Sequence, residues 1–299
     1  MTQIKLLWQS KLVLLFVLPF VAAGVVLQAH WWAVNSPPVG IWTLGLSLLL
    51  GLVVLQFRAA TPAAAATGFA ITASLMFSTV VFPYQPWRSA LAPVLAVSLL
   101  AHFSTRLGWG KKQRMGIAEE RHGRTASQVA ANLGVAALVS YRYGLAPPWF
   151  ANTGWFSHAG LAPMLLFCLG LAALAEAAAD TVSSEIGQVL GGRPRMITTL
   201  AEVEPGTDGA ISLAGTLAGA VAAAMVAAAG TLALSGHRTM FAVSGAGGVF
   251  GLFFDSLLGA TLERRGWLNN DAVNFLSTAS AAAFALALMA ALPQRFIVP

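Results

Sequence analysis

Apolar stretches long enough to cross a lipid bilayer recur from one end of this chain to the other, and that repetition excludes most folds before any single residue is weighed. A helix needs about 20 mostly apolar residues to span the hydrocarbon layer. Such stretches run near residues 12–29, 39–57, 62–82, 88–105, 126–141, 159–179, 209–234, 239–260 and 272–292. Because the layer holds no water to satisfy backbone groups, each stretch is expected to be helical. The sequence thus predicts an all-α, polytopic membrane protein of about nine transmembrane helices. The fifth is the weakest, being short and carrying Gln128 and Asn132. Composition agrees, with 57% hydrophobic and only 9% charged residues. Lys5 and Lys11 ahead of the first run resemble the start of a signal peptide, but the run is long, contains Pro19, and lacks a clean small-residue cleavage site before Trp31 and Trp32. An uncleaved first helix is expected.

The single cysteine, Cys168, sits in an apolar run, so no disulfide or cysteine metal site can form within the chain. His30, His102, His122, His158 and His237 are scattered without an i, i+4 pair, which argues against a zinc-type site. No Walker-type loop is present, and no nucleic-acid partner is expected.

Basic residues crowd the cytoplasmic loops of membrane proteins. With a cytoplasmic N-terminus and alternating spans, Lys5, Lys11, Arg58, Arg106, Lys111, Lys112, Arg114, Arg121, Arg124, Arg193, Arg195, Arg264 and Arg265 fall inside, and only Arg88, Arg142, Arg238 and Arg295 fall outside. In a bacterium this would be the inner membrane. The acids, which played no part in that assignment, all land near the same side, and none precedes Glu119. The chain therefore divides into a chemically quiet scaffold of four spans, residues 1–105, and a polar region, residues 106–299, within one continuous membrane domain. Three polar segments, 106–132, 176–209 and 255–274, are expected to meet at the cytoplasmic face.

Carboxylates inside spans are costly to insert and mark function by default. Asp180 and Asp255 are the strongest examples, because apolar residues continue past each. Helical spacing aligns Glu176, Asp180 and Ser184 on one face, and Asp255, Gly259 and Glu263 on another. A helix end reaching the headgroups is the plainer explanation for Glu263. The "GTDG" of residues 206–209 follows Pro205 and opens an apolar run, so Thr207 or Asp208 is a candidate N-cap. Free N–H groups there, with Arg193 and Arg195 upstream, suit a phosphate. Positive-inside topology and attraction to anionic lipid account for Lys111, Lys112 and Arg114. They do not account for Arg124, Gln128 and Asn132, whose spacing predicts a polar stripe lining a cavity. Asn270 and Asn274 align similarly at the start of the last helix, behind Asn269 and Asp271. The glycines of "SGAGGVFG", 244–251, are read as close helix packing rather than a phosphate loop.

Taken in order, "GRTASQVAANLGVAAL", "ADTVSSEIG", "RPRMITTLAEVEPGTDGAISLAGTLAGA", "DSLLGATLE" and "NNDAVNFLST" resemble the blocks of the integral-membrane family of domain of unknown function ninety-two, over about residues 12–292. That family includes transmembrane protein nineteen and the plant and cyanobacterial phytyl-phosphate kinase of tocopherol synthesis. The variable positions of "DTVSSE" depart from the Trp or Ala common in relatives.

The resemblance implies a kinase that transfers a phosphoryl group from a nucleoside triphosphate, CTP or another, to a phytyl- or geranylgeranyl-type monophosphate. Phosphoryl transfer relies on positioning and charge neutralisation, and Mg2+ takes one or two carboxylates with phosphate and water. The expected catalytic acids are Asp180, Glu185, Asp208 and Asp255, with Asp180, Glu185 and Asp255 as metal ligands. Arg124, Arg193 and Arg195 would grip phosphates, and Gln128, Asn132, Ser184, Thr207, Gly209, Ser256, Asn270 and Asn274 complete the expected substrate site. Expected partners are thus the prenyl-phosphate lipid, the nucleotide and the bilayer. A cation-coupled transporter using Glu176, Asp180 and Asp255, or a lipid nucleotidyltransferase, are the alternatives.

Overall fold

A computed structural model of the protein describes residues 7–116, 123–140 and 163–292. Lys5, Glu119, Glu120, Arg121, Arg142 and Arg295, which entered the charge argument, and His122 and His158, weighed for metal spacing, lie outside them. So do residue 141 of the fifth expected span and residues 159–162 of the sixth.

The described residues are almost entirely helical: α1 (Leu7–Asn35), α2 (Pro37–Gln56), α3 (Pro62–Ser78), α4 (Leu91–Arg106), α5 (Trp109–Met115), α6 (Ala126–Val139), α7 (Pro163–Leu190), α8 (Leu213–Ala233), α9 (Arg238–Leu258) and α10 (Asn270–Ala291). Two-residue strands β1 (Arg195–Met196) and β2 (Ala210–Ile211) pair antiparallel between α7 and α8. A π-helical turn, Gly259–Glu263, continues α9.

Helix starts follow the local sequence. Pro62 occupies the first turn of α3, where its missing N–H costs nothing, and the Thr61 hydroxyl accepts from Ala64 N. Thr125 and Gln128 form a reciprocal capping box on α6. Ser212 caps α8, and Asn269 caps α10 through the amide of Ala272.

Among the described residues, six helices, namely α1, α2, the Leu166–Leu190 part of α7, α8, α9 with its π turn, and α10, are long and apolar enough to cross a membrane. The bent pair of α4 and α5, 60° apart, would make a seventh. Of the nine expected spans, the described residues thus supply six or seven. α3 has 17 residues and α6 only 14, and at 1.5 Å per residue α6 reaches about 21 Å, short of a hydrocarbon layer of about 30 Å. α6 is instead an interior helix, with Ala130, Ala131, Gly134, Val135, Ala136 and Ala137 buried against α1, α3, α7 and α10.

α7 is the axis of the bundle, with α4, α6, α8, α9 and α10 packed around it. Its close neighbours are admitted by glycine. A Cβ on Gly219 of α8 would stand 2.7 Å from Ala179 O, and one on Gly248 of α9 would stand 2.8 Å from Ala175 Cβ. The glycines of 244–251 therefore serve helix packing, as their context indicated.

Long-range bonds draw the polar segments to one end. Gln9 Nε2 donates to Trp267 O (2.8 Å) and Asn269 Nδ2 to Ser10 Oγ (2.9 Å). Lys111 Nζ donates to Val189 O (2.6 Å), and the backbone of Arg124 bridges to Ala59 and Thr61. Arg88, at the opposite end, donates to Ser235 Oγ (2.9 Å).

Candidate functional site

An unusual concentration of carboxylates occupies the polar end of the α7–α9–α10 junction. Glu176 is 1% exposed. It lies in electrostatic range of Asp180, and the Ser277 hydroxyl of α10 faces both Glu176 and Asp255. Asp255 in turn feels Asp180 and Glu263, and Glu263 feels Asp208. Two oxygens in this cluster, Glu176 Oε1 and Asp255 Oδ2, are buried without a hydrogen-bond partner. An orphaned carboxylate oxygen in a helix interior is expensive and calls for a cation, a proton or a ligand. Among the described residues, no three Asp, Glu, His or Cys side chains converge tightly enough to hold a metal by themselves.

The π turn places Glu263 in this group. Arg264 N bonds back to Gly259 O (3.2 Å), five residues earlier, and the extra residue rotates the end of α9. The 206–209 turn docks directly on it, since a Cβ on Gly259 would sit 2.8 Å from Gly209 N.

Arg124 connects the acids to a cavity. Its Nη2 donates to Thr181 Oγ1 on α7 (3.3 Å), and its charge bears on Asp180. Beside it opens a cavity of about 660 Å3 bounded by α2, α3, α4, α6 and α7. Arg58, His102, Arg106, Trp109 and Arg124 line its polar end, while Leu50, Val54, Val94, Val97 and Leu133 line the apolar remainder. α2 and α4 form opposite walls and make at most marginal contact with each other. The polar end is assembled by Gly123. Its φ of +73° is unfavourable for other residues, and an added Cβ would lie 2.6 Å from Ala60 N and 2.8 Å from Arg58 O. Only glycine lets the 58–60 turn pass this close to Arg124.

Arg58 and His102 belong to the part of the chain that had looked chemically quiet, and Arg106 stands at its boundary with the polar region. Positive-inside topology masked Arg58 and Arg106 in the sequence.

Glu185, expected among the metal ligands, is paired with a cation of the chain itself. Its carboxylate forms a buried ion pair with Lys112 of α5, which is itself 1% exposed and donates to Ser104 O (3.1 Å) and Thr105 O (3.2 Å). Lys112 is thus an internal strut between α4, α5 and α7, and the topological explanation of it is corrected. Burial of its charge is tolerable because a carboxylate and two carbonyls compensate it.

The 191–212 segment is folded rather than open. β2 takes up Ala210 and Ile211, so α8 starts at Leu213 with Ser212 as its cap, and the expectation that Thr207 or Asp208 caps a helix is overturned. Thr207 Oγ1 donates to Glu204 O (2.7 Å), and Gly209 has φ +75° and accepts from Ile197 N (3.1 Å). Burial raises the pKa of Asp208, and the nearby Arg264 guanidinium opposes that rise. Arg193 and Arg195 are exposed, the first paired with Glu202 at 3.2 Å.

Of the remaining candidates, Asn132 is buried and lines the cavity, whereas Gln128 spends its side-chain oxygen on the amide of Thr125 (2.8 Å). Ser184 is exposed and donates to Thr181 O (3.2 Å). Ser256 is half-buried and donates to Leu252 O (3.3 Å). Asn270 is exposed, while Asn274 is buried one turn before Ser277.

Comparison with known proteins places these features in a family. Residues 45–282 match the model of the integral membrane protein family DUF92. The chain is 31% identical to an uncharacterized membrane protein of Synechocystis over 86% of its length and 97% of the relative's. It is 45% identical to an uncharacterized membrane protein of Methanocaldococcus jannaschii over 36% of its length, spanning 45% of that relative. It is 30% identical to the chloroplastic protein VTE6 of Arabidopsis thaliana over 69% of its length, spanning 58% of that protein. No solved structure matches. With a family model covering most of the chain and a relative aligned nearly end to end, this multi-pass membrane protein belongs to the DUF92 family of integral membrane proteins.

Proposed function

We propose that the protein is a prenyl-phosphate kinase, transferring the terminal phosphoryl group of a nucleoside triphosphate to a prenyl monophosphate. The observation that carries this reading is the meeting of Arg124, at the mouth of an apolar cavity, with the acid cluster of Asp180 and Asp255. The likeness to VTE6, and the resemblance to a family containing a phytyl-phosphate kinase, support it.

In the reaction an oxygen of the acceptor phosphate forms a bond to the terminal phosphorus of the donor, and the bond to the leaving nucleoside diphosphate breaks. The acceptor is already an ionised phosphate, so no general base is required. Asp180 and Asp255 would hold Mg2+, with Glu176 Oε1 and Asp255 Oδ2 among the oxygens awaiting a partner. The ion supplies charge neutralisation for the phosphates. Arg124 holds phosphate oxygens through the planar fork of its guanidinium. Glu185 fixes the helix end that carries Asp180, through Lys112. The face bearing these groups is cytoplasmic in this reading, where nucleotide is supplied.

The test is an assay in detergent with Mg2+, a panel of nucleoside triphosphates, and phytyl, geranylgeranyl and farnesyl monophosphates, following lipid diphosphate by mass spectrometry. Diphosphate should form with the wild type and be lost in Asp180→Asn and Asp255→Asn, while both variants stay inserted and monodisperse. Release of pyrophosphate would indicate nucleotidyl transfer instead. Cation-driven uptake into liposomes without nucleotide consumption would replace the kinase by a transporter.

A further inference from the structure

The cavity beside Arg124 has a polarity that constrains its occupant. Among the described residues its lining contains no carboxylate, and Arg58 and Arg106 stand with Arg124 at the polar end. From Arg106 to Val94, which both line it, α4 advances about 18 Å along its axis. The interior is apolar, so an aliphatic tail entering from the bilayer would meet no polar surface to desolvate there. A phosphate at the mouth would meet charge-assisted donors.

Two glycines of this lining behave unlike Gly123. A Cβ at Gly68 would come no closer than 4.0 Å to Val129 Cγ1, and one at Gly51 no closer than 3.5 Å to Ala65 O. Both distances are ordinary contact, so these glycines leave open volume in the cavity rather than relieve a clash.

We propose that the cavity seats a single-chain lipid monophosphate, that Arg58 and Arg106 join Arg124 in holding its phosphate, and that Gly68 and Leu50 set the length of tail accepted. The identification of the tail as prenyl rests on the kinase reading; the binding geometry does not.

The experiment is equilibrium binding of radiolabelled phytyl monophosphate to the detergent-purified full chain, without nucleotide. Competitors are farnesyl monophosphate, unphosphorylated phytol and the two-chain phosphatidic acid. Both monophosphates should compete, while phytol and phosphatidic acid should compete at least tenfold less well. Loss of one charge-assisted contact at about 1.5–3 kcal/mol corresponds to about tenfold or more, so Arg58→Ala and Arg106→Ala should each weaken phytyl monophosphate by about that factor. Gly68→Phe should weaken phytyl monophosphate while sparing farnesyl monophosphate, and Leu50→Ala should shift preference toward the longer tail. If Gly68→Phe fails to fold, the opposite shift in Leu50→Ala decides. Failure of the wild type to bind any lipid monophosphate, equal competition by phosphatidic acid, or unchanged chain preference would overturn the proposal. Binding without turnover would remove the kinase reading and leave the cavity assignment. Turnover with chain preference unchanged in the two variants would do the reverse.

Discussion

Removing the Glu185 carboxylate should leave the Lys112 ammonium buried without its counter-charge, and the consequence can be sized. Lys112 is 1% exposed and retains only Ser104 O and Thr105 O once Glu185 is neutral. Deleting one member of a buried pair costs about 3–5 kcal/mol, roughly a hundredfold to several thousandfold in the folding equilibrium. Glu185→Leu should fall in that range, and so should Lys112→Met, which also frees two carbonyls worth about 1 kcal/mol each. The double variant has no charge to strand. It should lose about 2 kcal/mol, so the two substitutions should be coupled by well over 2 kcal/mol in a double-mutant cycle. Reversible unfolding of the purified protein by denaturing detergent would measure the cycle. Additive losses would show that the pair is not the strut described. An isosteric Glu185→Gln variant of wild-type stability but without turnover would return Glu185 to the chemistry and refute its assignment as a support.

Gly123→Ala should cost about 1–3 kcal/mol from its left-handed backbone and its approach to the 58–60 turn, and should weaken lipid phosphate binding by moving Arg58 away from Arg124; calorimetry with the binding assay would check both. Burial raises the pKa of Asp208 above its ordinary 3.8, so its ionisation penalises the folded state as pH climbs through and beyond that value. Asp208→Asn should therefore stabilise the protein at neutral pH and lose that advantage in acid, and Arg264→Met should enlarge the neutral-pH penalty; stability measured across pH would give the sign. Met115→Cys, at an exposed position closing α5, should react with a membrane-impermeant thiol reagent only from the cytoplasmic side, and labelling of intact cells from outside would invert the topology.

Much of the helical framework was legible because burial in lipid leaves a one-dimensional trace. Runs of apolar residues located α2, α6, α8, α9 and α10 to within a few residues, but not the end of α7, which carries its acids on from residue 179 to Leu190, nor the interior place of α6, whose apolar face meets protein instead of lipid. Asp180 and Asp255 stood out because apolar sequence surrounds them. Lys112 did not, since its partner is 73 residues away and its neighbours in sequence look like a cytoplasmic basic loop. The hairpin was hidden for a related reason: each strand has two residues, too few for any alternation, and pairing moved the start of α8 to Leu213. Arg58 and Arg106 followed a topological rule so well that their second position, facing a cavity, left no mark on the pattern.

The glycine contacts around α7 have a mechanical corollary. Where Gly219 and Gly248 bring backbones together, sliding or parting the helices would break contact along their length, because no side chain is present to re-pack and fill the gap. The opposite flank of the molecule, where α2 faces α4 across a cavity, has no such constraint. If the proposed lipid enters from the membrane, the motion that admits it would therefore fall on the α2–α4 flank, with the acids on α7 and α9 as the stationary side.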